Sequence, residues 1–198
     1  MTDVPPAAAA LSDTAPLETL AKEEPEPDAN AAENKPRPEE GVPSAETVEA
    51  ADTIRQELAH ALKGDKLAEG LTVVATDEGV KILVTDQFDF GMFEIGSAVP
   101  RRELVLAMEK IGKSLAQQKG AVSISGHTDA HPFRNATYDN WRLSTARAHS
   151  AYYMLARAGL AEDRITEVAG HADRELKDKA DPFGASNRRI EILLGVGG

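Results

Sequence analysis

The sequence predicts an α+β domain: one mixed β-sheet with helices packed on a face, behind a disordered N-terminal tether. Two observations carry that prediction. The first 45 residues hold 8 of the 11 prolines and 10 alanines, and no Phe, Trp or Tyr precedes Phe88. Beyond residue 70, runs of period two and runs of helical period follow in the order β-β-α-β-α-β-β. Strands interleaved with helices of this length fit one sheet with helices on a face. The chain therefore divides into a tether (1–44), a helix and linker (45–70) and the domain proper (71–198).

The elements follow in order. The tether carries a net charge of −7 out of the chain's −11, leaving −4 for the rest. With few bulky apolar groups it cannot bury enough surface to offset the entropy of ordering. Ser44 after Pro43 is a helix N-cap candidate, Ala51, Ile54, Leu58, Ala61 and Leu62 recur at helical spacing, and Gly64 stops the run. Leu71–Thr76 and Val80–Thr85 flank Asp77-Glu78-Gly79 as a hairpin. Phe88–Phe93 is an aromatic loop with no clear period, read as core. After Pro100, Leu104, Met108, Ile111 and Leu115 form a helical stripe that Gly120 closes. Val122–Ser125 alternates as a strand ending at Gly126, residues 127–138 form a loop broken by Pro132, and a helix runs from Asn140 to Ala158 before Gly159. Ile165–Ala169 is a short strand, 170–186 a polar loop, and Arg188–Leu194 a last strand with Ile190, Ile192 and Leu194 on one face; Gly195–Gly198 should fray.

Composition excludes several classes. The acidic balance argues against nucleic acid or an anionic membrane as partner, since both select basic patches. Without cysteine there is no disulfide, thiolate metal site or lipidated N-terminal Cys. No stretch reaches the ~18 apolar residues of a membrane span, and the N-terminus lacks the features of a secretory signal. As written, the chain is expected to have no way out of the cytosol.

Chemistry concentrates in Gly126-His127-Thr128-Asp129 and the helix that follows. At ~100° per residue, Asn140, Ser144 and Arg147 share one helix face, with small Ala151 leaving room beside them. Leu143, Ala146, Ser150 and Tyr153 face the other way and are expected to be the core side. Asp129 lies in a loop that can curl over the helix N-terminus, whose backbone N–H groups favour an anion. Arg147 offers a planar fork for a carboxylate, and Asp129 the opposite charge for an ammonium. From spacing alone two readings stand level: a clamp for a ligand carrying both groups, or a structural salt bridge from loop to helix.

Ser125-Gly126-His127-Thr128-Asp129, Asn140, Leu143-Ser144, Arg147-Ala148 and Asn187-Arg188-Arg189-Ile190-Glu191-Ile192 occur in that order. Together they resemble the peptidoglycan-binding domain shared by OmpA-type outer-membrane proteins and flagellar stator B subunits, over about residues 71–194. The resemblance implies an OmpA-like two-layer α/β sandwich and a non-enzymatic wall-binding function without cofactor or metal. It implies that Asp129 and Arg147 bind the diaminopimelate of the stem peptide, with Thr128, Asn140 and Arg188 near the same pocket. Asn140-Trp141, the loop with Pro132-Phe133, and Gly91-Met92-Phe93 leading to Gly96-Ser97-Ala98 are similar to the stator form. That form implies a periplasmic location, a homodimer and a stator A subunit as partner. It also implies a transmembrane helix that this sequence lacks, so a periplasmic fragment or a start downstream of the true one is expected. The alternative is an OmpA-like wall adaptor with no part in motility.

Other readings compete for the same residues. His127, Asp129, His131, His171 and Asp173 could form a metal cluster, although His127 reads better as a packing residue. Ser125, His127 and Asp129 do not suit a catalytic triad, because triads are assembled from separated elements. Trp141 is expected to be a core or hinge anchor, with sugar stacking the sharper alternative. Arg188 and Arg189 alternate, so one should face the ligand and the other solvent.

Overall fold

Ser44 opens the first helix: its hydroxyl accepts from Thr47 N at 3.1 Å, satisfying one of the donors a helix start leaves unpaired. The computed structural model describes residues 41–63, 66–86, 91–132 and 139–196. Residues 1–40, Gly64, Phe88, Phe90, Phe133 and the last two glycines lie outside the described residues. The elements are α1 (Ala45–Ala61), β1 (Leu71–Thr76), β2 (Gly79–Thr85), α2 (Arg102–Gln117), β3 (Val122–His127), α3 (Asn140–Arg157), β4 (Ile165–Gly170) and β5 (Arg189–Leu194), joined in places by short 3-10 turns. The predicted order is found, and β3 runs one residue past Gly126.

The strands form one mixed sheet in the order β1-β2-β5-β3-β4. β3 and β4 pair in parallel and every other neighbour is antiparallel. Register aligns the apolar side chains in rows. Ile82, Ile192, Ile124 and Val168 lie side by side, and Val80, Leu194, Val122 and Ile165 form the next row. Ile82, Ile192 and Ile124 are fully buried. Each contributes about 2–3 kcal/mol relative to exposure. α1 covers β1 and β2, α3 covers β3 and β4, and α2 packs against both helices. The result is the two-layer α+β architecture expected.

The row at one end of the sheet places the site. It runs Val84, Ile190, Gly126, Gly170. A Cβ on Gly126 would clash with Ser144 O, and one on Gly170 with Thr145 N. The glycines let α3 rest directly on the backbones of β3 and β4. Of the expected core side of α3 only Leu143 is buried; Ala146 and Ser150 are half-buried. The buried face of α3 is Leu143, Ser144, Arg147, Ala148, Ala151 and Leu155, whereas Tyr153 is 66% exposed. Trp141 is 48% exposed and is not the core anchor expected. Met92 and Phe93 are buried, as the aromatic loop was expected to be.

Candidate ligand-binding site

β2, β3 and β4 end at the same edge of the sheet, and β5, antiparallel between β2 and β3, begins there. Thr85 and His127 both align with Arg189. The next residues outward therefore converge: Asp86 after β2, Thr128 and Asp129 after β3, and Arg188 before β5. All five residues expected at the site, Thr128, Asp129, Asn140, Arg147 and Arg188, line one cavity of ≈ 730 Å³.

Arg188 is held between two acids. Its Nη1 donates to Asp129 Oδ2 at 2.6 Å and its Nε to Asp86 Oδ2 at 2.6 Å. Burial works against its charge, but the hydrogen bonds to Asp86 and Asp129 outweigh that and raise its pKa. Asp129 Oδ1 accepts from His131 N at 3.1 Å, closing the loop on itself. Asn140 Nδ2 donates to His131 O at 3.0 Å, tying the loop to the start of α3. Thr128 N donates to Ala172 O at 2.8 Å, and Ala172 N donates to Ser144 Oγ at 3.0 Å. Ser144 is thus a fully buried brace between α3 and the residues after β4, and not part of a polar ligand face.

Arg147 stands apart from this network. Its Nε donates to Ser97 O at 3.0 Å, and its guanidinium lies over the Phe93 ring at 5.0 Å. Among the described residues no carboxylate pairs with it, so the salt bridge between Asp129 and Arg147 is not formed. Only 8% of Arg147 is exposed. Burial lowers its pKa, opposed in part by Asp86. Among the described residues no hydrogen-bond acceptor meets its Nη atoms, which are not sealed away and line the cavity. The N-terminus of α3 offers less than expected: Asp139 caps it, accepting from Arg142 N at 2.8 Å.

The cavity lining is balanced. It holds the carboxylates of Asp86, Glu94 and Asp129 and the guanidiniums of Arg101, Arg147 and Arg188, in a chain of net charge −11. Such a lining favours a ligand that is itself balanced. Asp86 and Arg101 were not singled out from the sequence, and Phe93 was read there as core and not as part of the site. Asp86 had a legible signal, because it follows a strand just as Asp129 does.

The competing constellations come apart. Both ring nitrogens of His127 lack a hydrogen-bond partner, so no Ser125–His127–Asp129 relay exists. His127 stacks on His171 at 4.9 Å, on the face away from the helices. Among the described residues no group of three His, Asp or Glu is placed to hold a metal. Arg189 does not reach solvent. It is 5% exposed, donating to Glu191 Oε1 at 2.6 Å and to Glu175 O at 2.9 Å. Among the described residues no helix is long and apolar enough to cross a membrane.

Comparison with known proteins agrees with this architecture. Residues 87–189 match the OmpA family. A truncated flagellar export and assembly protein, LafU, of Escherichia coli K12 is 37% identical over 117 residues, covering 59% of this chain and 56% of that protein. Motility protein B of the same strain is 31% identical over 126 residues, covering 63% of this chain and 41% of that protein. The chain thus spans about half the length of these relatives. Among solved structures, the cell wall anchor of the type VI secretion system of Pseudomonas aeruginosa has a TM-score of 0.58 at 29% identity, covering 72% of this chain and 99% of that one. The periplasmic domain of MotB has a TM-score of 0.57 at 18% identity, covering 67% and 73%, a likeness of fold alone. The chain belongs to the OmpA family and is similar over part of its length to motility protein B and LafU.

Proposed function

We propose that this non-enzymatic domain works in the periplasm as the wall anchor of a flagellar stator, and that it holds peptidoglycan by the diaminopimelate of the stem peptide. Arg147 takes the ligand carboxylate through its open Nη donors. Asp129 accepts from the ammonium, while Thr128, Asn140 and Arg188 shape the pocket around them. The observation that supports this reading is the separation itself. Asp129 and Arg147 line one cavity without pairing, and the guanidinium is buried with donors to spare. A ligand bearing both charges fills that gap, whereas a singly charged one leaves a pole unmet. Self-association, and contact with a stator A subunit through a membrane helix outside this sequence, belong to the same proposal.

Co-sedimentation with purified peptidoglycan tests it. The wild type should pellet with the wall material, and Arg147→Ala should stay in solution with an unchanged circular dichroism spectrum. Equal binding by the two proteins sinks the assignment. Muropeptides should not be released over hours. The similarity to a secretion-system wall anchor favours a second reading, a wall adaptor outside motility. The coding sequence upstream separates the two: a transmembrane helix with an aspartate near its start favours the stator, a signal sequence or lipobox the adaptor.

A further inference from the structure

Asp129 and Arg147 do not touch, so something else fixes their separation. A path of contacts joins them. Asp129 Oδ2 meets Arg188 Nη1 at 2.6 Å, and Arg188 Nε meets Asp86 Oδ2 at 2.6 Å. The other oxygen, Asp86 Oδ1, accepts from Met92 N at 2.6 Å. Phe93, the next residue, lies under the Arg147 guanidinium, and Ser97 O takes Arg147 Nε. Asp86 therefore bonds both halves of the pocket, and its backbone N also donates to Arg188 O at 2.9 Å.

We infer that Asp86 is a positioning residue: it sets the separation of Asp129 from Arg147, and so selects ligands with an ammonium and a carboxylate at one fixed spacing. This rests on the zwitterion clamp proposed above. An asparagine here can still accept from Met92 N, but its amide would turn N–H groups toward Arg188 Nε, donor against donor. Arg188 must then move, and Asp129, bound to it, moves too. A ligand that uses both poles loses its fit. A ligand that uses one pole follows that pole and is little affected.

The test titrates wild type, Asp86→Asn and Asp86→Glu with two tripeptides, L-Ala-γ-D-Glu-meso-diaminopimelate and its L-lysine counterpart, which keeps the side-chain ammonium but lacks the carboxylate on the same carbon. Asp86→Asn should bind the diaminopimelate peptide about tenfold more weakly, roughly the value of one charge-assisted hydrogen bond. Its affinity for the lysine peptide should change less than about twofold on the same scale. Asp86→Glu restores the charge on a longer arm, so it should regain thermal stability without regaining affinity. Equal weakening of both peptides, in step with lost stability, reduces Asp86 to a structural staple and overturns the inference. Failure of the wild type to bind either peptide overturns the clamp reading, and the selectivity with it. A ligand-free readout remains in that case. The Arg147 Nε–H resonance should shift in Asp86→Asn although the two side chains are not bonded, and an unmoved resonance refutes the positioning role.

Discussion

Arg188 and Arg189 are neighbours in the chain and end on opposite faces of the sheet, in two charge clusters with different fates. Arg189, with Glu191 and Lys81, lies on the face away from the helices. There the guanidinium reaches a carboxylate and two backbone carbonyls. Glu191 is stabilised in turn: burial raises its pKa, but Arg189, by charge and hydrogen bond, lowers it further. Arg188 sits at the sheet edge with two acids and an open cavity beyond, facing a second guanidinium with donors left over. The first cluster is closed upon itself and serves stability. The second is left partly open, and openness together with space separates a candidate binding site from a buried ion pair.

Exchanging the two arginines one at a time is the strongest way to break this contrast. Arg189→Ala leaves Glu191 without its main partner and two carbonyls unmet. It should destabilise the domain by about 3 kcal/mol, the usual cost of breaking a buried pair. Urea denaturation measures that loss, and wall binding by the fraction still folded should be unchanged. If Arg189→Ala instead abolishes binding at intact stability, the open and closed clusters have been assigned the wrong way round.

Arg188→Ala should do the reverse. The side chain is about a third exposed, so its ion pairs are partly screened and their loss should cost stability about 1 kcal/mol. Peptidoglycan co-sedimentation should nonetheless fall at least about tenfold, because Asp86 and Asp129 would repel across the gap that Arg188 fills. The two variants together give a crossed pattern, and neither alone would establish it.

That crossing also marks what could be read from sequence. The strands were legible because only one face of the sheet meets the helices, so burial repeats every second residue, as at Ile190, Ile192 and Leu194. The stripe of α2 was legible for the same reason at helical period. α3 misled because its buried face contains Ser144 and Arg147, which polarity assigns to solvent. Their burial depends on Gly126 and Gly170, on strands distant in sequence, allowing the helix to come close. Arg189 misled in the same way, since alternation turns it from the pocket and the residues that bury it, near Glu175, come from the long polar loop. Asp129, Arg147 and Arg188, which line one cavity, were singled out by their motifs. Asp86 was not, although it too follows a strand, because its contact with Arg188 forms only once β5 lies between β2 and β3.

Lowering the pH probes the closed cluster next. Burial, reinforced by Arg189, lowers the His127 pKa from 6.5 to about 3. Above pH 6.5 the ring is neutral folded and unfolded, and the stability is complete. Between 6.5 and 3 the unfolded chain takes up a proton that the folded chain refuses, so stability falls with pH. From pH 7 to pH 5 the loss from this group should be about 1–2 kcal/mol. The lowered pKa of Glu191 acts in the same direction at still lower pH, as its carboxylate is protonated. Unfolding curves for the wild type should show this slope, and His127→Asn should flatten it. A wild type equally stable at pH 7 and 5 contradicts the closed, desolvated state of this cluster.

The smallest expected effect asks whether the basic pole of the pocket depends on the helix that carries it. Asp139 caps α3 and is not among the residues that line the cavity. Asp139→Ala should cost about 1 kcal/mol by leaving the Arg142 N–H unpaired and fraying the first turn. Arg147 lies two turns further on, held by Ser97 O and Phe93, and Ser144 between them is braced by Ala172. Fraying should therefore stop before Ser144. Wall affinity should change less than about twofold, an amount below the stability cost itself. A tenfold loss of binding would mean that the first turn, through Asn140 and its bond to His131 O, holds the acidic pole as well. The open cluster would then owe its geometry to the helix start as much as to Asp86 and Arg188.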